Sequence, residues 1–286
     1  MNRLAFTVEN AERIAAVESR FGPFGKPLAK PGRALVGEGQ LMKLCRRRPQ
    51  PRMFFLFNDI LVYGSSLLSG RWCQKQQVIA LEDVVLEDLE DGLEMKNQWL
   101  IRTPRKSFYV SAASPLEKNA WIEHILECHA QRLQMTSAPS NGRLAAAWVP
   151  DWASAICMRC SSRFTVTHRR HHCRQCGFVV CSSCSRSRFV LENISRKPVR
   201  VCCLCFRMLQ AQDEAEGRGR GSSGGSGGSD GKNWSDDEYA SVPMHEESSD
   251  EDSDEEDMEE LQVPQKERHM SWSPYVLVSD YQGHRL

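Results

Sequence analysis

No stretch of the 286 residues approaches the roughly 18 consecutive apolar residues that a membrane-spanning helix needs. The opening MNRLAFTVEN lacks the apolar centre of a secretory signal. The sequence therefore reads as soluble and cytosolic, with any membrane contact peripheral. Net charge is missing as well: 37 Lys+Arg stand against 37 Asp+Glu, so only the segregation of charge along the chain is informative. There is no Gly-rich phosphate loop, no open metal site and no nucleophile–base pair supported by spacing, which argues against an enzyme. Cysteine is sparse outside one stretch. Nine of the twelve lie between residues 157 and 205, whereas Cys45, Cys73 and Cys128 are scattered and read as core thiols in a reducing compartment.

That stretch contains four Cys-x-x-Cys hooks, Cys157/Cys160, Cys173/Cys176, Cys181/Cys184 and Cys202/Cys205. Each hook sets two thiolates on one tight turn, and four hooks supply two closed sites of four thiolates for structural Zn²⁺. Only four residues separate Cys176 from Cys181, while twelve separate Cys160 from Cys173 and seventeen separate Cys184 from Cys202. Neighbouring hooks two and three would close a strained loop if they shared a metal. An interleaved assignment avoids this, with Cys157, Cys160, Cys181 and Cys184 on one zinc and Cys173, Cys176, Cys202 and Cys205 on the other. Cys203 is then a spare thiol. Two zinc ions take the place of the core that a unit of this size cannot build.

Residues 148–206 carry ten Lys/Arg and two Asp/Glu, concentrated at Arg169, Arg170 and Arg174, with Arg200 just before the last hook. Guanidinium forks bind phosphate oxygens in pairs, and imidazoles add donors that strengthen on protonation. The run Phe164-Thr165-Val166-Thr167-His168 sets apolar residues beside these arginines, a pairing suited to a lipid surface with phosphorylated headgroups.

Trp148-Val149-Pro150-Asp151, the run RRHHCRQCG at 169–177 and Arg200-Val201-Cys202, with the eight-cysteine spacing, resemble a FYVE zinc finger. The resemblance covers about residues 148–206 and implies phosphatidylinositol 3-phosphate as ligand. By position it implies that Asp151, Arg169, Arg170, His171, His172, Arg174 and Arg200 surround the headgroup, and that Val166 and Thr167 enter the bilayer. Binding is then expected to strengthen at mildly acid pH through His171 or His172, and to weaken with salt. A RING- or PHD-like interaction finger is the alternative class.

Upstream, Leu4, Val8, Ala11, Ile14, Ala15, Val17 and Phe21 form a helical stripe whose polar face mixes acids and bases, so packing on the following domain is expected. Strand-forming runs follow at 37–45, 52–57, 60–63, 73–81, 83–86, 99–103 and 107–111, with Asn58-Asp59 as a turn. From Ser114 or Pro115 the period changes, and Leu116, Ala120, Trp121, Ile125, Leu126 and Cys128 predict a helix of about five turns. Seven strands closed by a helix with a central Trp, together with FFLFNDILVY at 54–63, resemble a pleckstrin-homology (PH) domain. Lys43, Arg46, Arg47, Arg48 and Arg52 surround the first hairpin, where lipid-binding members carry basic residues. Gln50 and Pro51 depart from that pattern. A weak phosphoinositide contact is implied.

The expected architecture is multidomain α+β: an N-terminal helical extension (1–34), a PH-type seven-stranded β-barrel or sandwich with C-terminal helix (35–134), a linker (135–147), a FYVE-type two-zinc cross-brace (148–212) and a disordered Gly/Ser-rich and acidic tail (213–286). The single Arg218-Gly219-Arg220-Gly221 reads as linker, with no nucleic-acid partner. Eleven of the fifteen residues at 246–260 are acidic. Ser248, Ser249 and Ser253 there each precede an acid by three positions, as acidophilic kinases prefer. This run reads either as a solubilising tail or as a tethered competitor for the basic surfaces. Residues 272–281 mix Trp, Pro, Tyr and Val and read as a partner-docking stretch.

A PH–FYVE pair with little else resembles the phafin family of endosomal adaptors. That implies a peripheral place on early endosomes or lysosomes, a role in endosomal traffic or autophagy, and endosomal protein partners reached through the tail. The alternatives are a RING-like ubiquitin ligase and a protein-only scaffold.

Overall fold

A computed structural model describes residues 7–67, 72–92, 95–135, 142–219 and 272–274. The acidic run 246–260, its three serines and the Gly/Ser-rich segment beyond 219 lie outside the described residues, as does most of 272–281.

The expected N-terminal helix is α1, Val8–Phe21. It begins where the Thr7 side chain accepts the Asn10 amide, and ends at Gly22, whose φ of 64° permits the turn out of the helix. Ile14, Val17 and Phe21 are buried with Met53, Phe55, Phe57 and Val62, so the helix does pack on the following domain. Polar anchors fix it there. The Asn10 amide donates to the Arg33 carbonyl, its oxygen accepts from Leu35 N–H, and Glu18 Oε1 accepts the amides of Leu28 and Ala29.

Seven antiparallel strands follow: β1 (Leu35–Leu44), β2 (Pro49–Phe57), β3 (Ile60–Leu67), β4 (Trp72–Ala80), β5 (Val85–Asp88), β6 (Gln98–Arg102) and β7 (Phe108–Ser111), in sheet order β4-β3-β2-β1-β7-β6-β5. Their alternation buries two clusters, one under α1 and one under α2 (Pro115–Met135). In the second cluster Trp99, Trp121, Phe54 and Phe108 interlock, with Trp121 edge-on to Phe54 at 6.1 Å. α2 opens with a reciprocal cap. Ser114 Oγ accepts the Glu117 amide at 3.2 Å, and Glu117 Oε2 accepts the Ala113 amide at 3.0 Å.

Several boundaries differ from the sequence reading. β2 begins at Pro49, three residues ahead of the expected run at 52–57, and places Pro51 opposite Met42. Two prolines are tolerated there because β2 pairs with β3 only from Arg52 onward, leaving the proline edge without a ladder to break. The hairpin itself closes through Cys45 N–H donating to the Arg48 carbonyl. β5 starts at Val85 because Leu81–Asp83 form a 3₁₀ turn.

Two further ladders and a helix follow: β8 (His171–His172) with β9 (Val179–Val180), β10 (Arg188–Leu191) with β11 (Ser195–Arg200), and α3 (Cys203–Gly219). α3 runs past residue 212, where the sequence reading expects the disordered tail to begin. Its 211–216 segment, AQDEAE, is made of residues that favour or tolerate a helix. The end of the expected linker is also ordered. Ala145 is buried, its amide donates to the Thr103 carbonyl, and Ala147 bridges Ser107 in parallel.

Candidate functional site: a two-zinc scaffold with a basic face

The first two Cys-x-x-Cys hooks are each built by a local backbone reversal. After the first, Ser161 adopts φ 59° and its amide returns to the Cys157 carbonyl at 2.8 Å. After the second, Gly177 adopts φ 75° and its amide returns to the Cys173 carbonyl at 2.9 Å. Gly177 is required twice over, because a Cβ there would fall 2.1 Å from the Ala147 carbonyl oxygen.

The thiols assemble as the spacing predicts. Cys157, Cys160, Cys181 and Cys184 form one quartet and Cys173, Cys176, Cys202 and Cys205 the other, with the sulfurs of each within 4.8 Å of one another. A tetrahedral Zn²⁺ with bonds of about 2.3 Å sets sulfurs about 3.8 Å apart, and Cys160 and Cys181 Sγ lie 3.8 Å apart. Amide donors already serve the sulfurs: Cys181 N–H reaches Cys157 Sγ at 3.3 Å and Cys202 N–H reaches Cys173 Sγ at 3.2 Å. The two quartets can therefore hold two zinc ions. Four thiolate ligands on each ion would leave no open position, so zinc held there would supply structure. Cys203 is exposed, outside both quartets.

Arg159 was not singled out by sequence. Its Nε donates to Cys202 Sγ at 3.1 Å and its Nη2 to Cys176 Sγ at 3.4 Å, while the guanidinium covers the Phe178 ring at 4.6 Å. It offsets thiolate charge on the second quartet. Trp148 also has a sharper place than a motif position. Its ring stacks on His172 at 4.7 Å and 10°, and the Arg174 guanidinium lies over it at 4.2 Å.

The basic residues converge on β8 and its neighbours. Arg169 is exposed. Arg170 lies over Phe164 at 4.8 Å and contacts the Ser154 carbonyl at 3.4 Å. Arg174 donates to the His172 carbonyl at 2.9 Å, and its amide reaches the Arg200 carbonyl at 2.9 Å. Arg200 is steadied by the Ser185 carbonyl at 2.9 Å. His172 is buried, its Nε2 2.7 Å from the Val149 carbonyl and 3.7 Å from Asp151 Oδ1, an oxygen otherwise without a hydrogen-bond partner among the described residues. Burial, then Arg200, Arg46 and Arg174, holds His171 below its ordinary pKa. Burial lowers His172 as well, against the Val149 carbonyl and Asp151. Val166 is 90% exposed at the tip of a turn in which Thr165 N–H donates to the His168 carbonyl, and Thr167 beside it is exposed.

Of the basic residues at the first hairpin, Arg47 and Arg48 are exposed. Lys43 is buried, with its ammonium over the Phe108 ring at 5.0 Å. Arg52 donates to Gln50 Oε1 at 2.7 Å. Arg46 reaches the finger, with Nε 3.2 Å from Asp151 Oδ2 and Nη2 donating to the Arg170 carbonyl at 2.9 Å.

The comparisons with known proteins agree with this build. The FYVE zinc finger family matches residues 147–211 and the PH domain family matches residues 35–130. This resolves the choice between finger classes that cysteine spacing had left open. Human pleckstrin homology domain-containing family F member 1 is 56% identical over 228 residues, covering 78% of this chain and 82% of the relative. Zebrafish family F member 2 is 50% identical over 210 residues, 73% of this chain and 85% of the relative. Human family F member 2 is 48% identical over 216 residues, 75% and 87%. With a PH sheet and helix, a FYVE finger and relatives matched along most of their length, the chain belongs to pleckstrin homology domain-containing family F, the phafin family.

Proposed function

We propose that this protein is a peripheral membrane adaptor of early endosomes that binds phosphatidylinositol 3-phosphate through its finger, with the PH domain as a second phosphoinositide contact. One observation carries the reading. Arg169, Arg170, Arg174 and Arg200 sit on and around the β8 strand beside an exposed apolar tip at Val166. Phosphate oxygens are held by guanidinium forks, and an apolar tip gains by leaving water for the lipid interface. Asp151, His171 and His172 complete the headgroup surface, with Asp151 orienting His172. Both imidazoles are held below their ordinary pKa, so any strengthening of binding by protonation sets in at lower pH than for a free imidazole.

The PH domain adds a weaker contact through its first hairpin, where Arg47 and Arg48 are the exposed members of the basic set and Lys43, Arg46 and Arg52 lie behind them. Two weak contacts on one chain make durable residence, since the second binds at the effective concentration set by the first. The role that fits is recruitment in endosomal traffic or autophagy, with no reaction catalysed.

The test is co-sedimentation of the whole chain with liposomes carrying each phosphoinositide isomer, alongside Arg169→Ala and Arg170→Ala. Binding restricted to the 3-phosphate and lost in both variants is the expected result. Binding to every anionic lipid that survives both substitutions would move the function to the PH hairpin.

A further inference from the structure

The sequence marks 272–281 as a docking stretch without naming what it docks on. Its first residues are seated on the PH domain. Ser273–Pro274 form a short strand, β12, antiparallel to β1, with Gly37 opposite Pro274 and Glu38 opposite Ser273. β2 covers one edge of β1 along its length, whereas β7 meets the other edge only at Met42 and Lys43. The first half of that second edge is where β12 adds, as extended peptides add to an incomplete sheet edge.

The side chain ahead of β12 has a shaped seat. Trp272 lies 4.3 Å from Trp121 and 5.0 Å from His124, both on α2, and packs against the larger core cluster. Its backbone N–H donates to Glu117 Oε1 at 3.1 Å, while the other oxygen of the same carboxylate caps α2. Gly37 and Gly39 occupy one face of β1, two residues apart. A Cβ at Gly37 would stand 2.3 Å from the Trp272 ring, and one at Gly39 would stand 3.2 Å from the Trp272 Cα and from the Trp121 ring. Neither glycine has a φ that demands glycine, so their small size rather than their backbone freedom is what the site uses.

We propose that the groove between β1 and α2 is a docking site for an extended segment led by tryptophan, and that its occupant is this chain's own Trp272–Pro274. The size of the contact favours occupancy in cis. One ring and a two-residue strand make too small a contact to hold a separate peptide well, but tethering on the same chain supplies an effective concentration in the range of millimolar. The seat selects a flat ring, because Trp121 and the two glycines leave a slot rather than a round pocket. It also selects direction, because the Glu117 acceptor meets the amide that precedes β12.

The experiment is hydrogen exchange on the full-length chain and on Trp272→Ala, followed by mass spectrometry. Amides at 36–40 are expected to exchange at least about tenfold faster in the variant, with those at 54–57 unchanged. A peptide of residues 268–278 added in excess to Trp272→Ala restores protection, and the same peptide with alanine for tryptophan does not. Gly37→Val fills the seat without touching the tail and gives the same loosening. Should it fail to fold, as loss of protection at 54–57 would reveal, the Trp272→Ala comparison still decides. Equal exchange in the native chain and in Trp272→Ala overturns the docking. Protection that fades on dilution overturns occupancy in cis and assigns the groove to a second copy.

Discussion

Arg46, on the first hairpin of the PH domain, stands 3.2 Å from the Asp151 carboxylate of the finger. The Asp151 amide also donates to the Arg46 carbonyl at 3.0 Å. A residue assigned from sequence to one lipid contact thus positions an acid assigned to the other. Both side chains are at least three-quarters buried, so the pair is worth more than an exposed ion pair but still pays desolvation. A double-mutant cycle of Arg46→Ala and Asp151→Ala, read by chemical denaturation, is expected to give a coupling of about 1 kcal/mol. A coupling of zero would make the contact incidental.

Zinc affinity depends on more than eight thiols. Arg159→Ala removes two hydrogen bonds to Cys202 and Cys176. It is expected to weaken one of the two zinc sites by roughly 10- to 100-fold. Competition with a chromogenic chelator should then show one early and one late equivalent of metal, in place of two similar ones.

Full removal of zinc is a separate matter. The finger has no core of comparable size to the PH clusters, so a strong chelator is expected to unfold residues 148–206 while the strands of the PH domain keep their exchange protection. Loss of protection in both regions at one chelator concentration would mean that the PH domain leans on the finger for its own stability.

The exposed tip makes a distinct prediction about membranes. Burying the Val166 side chain contributes about 1.5 kcal/mol. Val166→Glu should therefore lower liposome binding by about tenfold or more, while leaving affinity for a soluble inositol phosphate headgroup unchanged. Equal losses in both assays would show that the tip shapes the headgroup surface instead.

The cysteines should sort by reactivity. Burial pushes Cys73 up to about 11 and Cys128 up to about 12, so almost none of either thiol is ionised at pH 8. In zinc-loaded protein at that pH, iodoacetamide is expected to modify exposed Cys203 first and leave Cys73 and Cys128 intact. Mass mapping of the alkylated peptides checks this directly.

Much of the architecture was legible because it is written in local periods. The hook spacings alone gave the interleaved quartets, and alternation with turn residues gave the PH strands to within a few positions. What stayed hidden depends on residues far apart in the chain. Nothing near Arg46 names Asp151 as its partner, and Arg159 looks like any surface arginine until the fold brings the Cys176 and Cys202 sulfurs beneath it. Gly37 and Gly39 read as poor strand residues until Trp272 explains the space. β2 reaches back to Pro49, beyond the strand-forming run at 52–57, because a strand proline is harmful only where a ladder runs on both sides.

Phe21 has a consequence for where this protein can be cut. Its ring lies edge-on to Phe55 at 5.9 Å and fills a place where a Cβ on Gly64 would fall 2.5 Å away. A fragment beginning at residue 35, where the PH family match begins, would carry a bare trough along Met53, Phe55, Phe57 and Val62. Such a fragment would tend to stick to itself and to chaperones. The piece that can be handled alone starts by residue 7, because what evolution repeats from protein to protein is shorter here than what water allows to stand by itself.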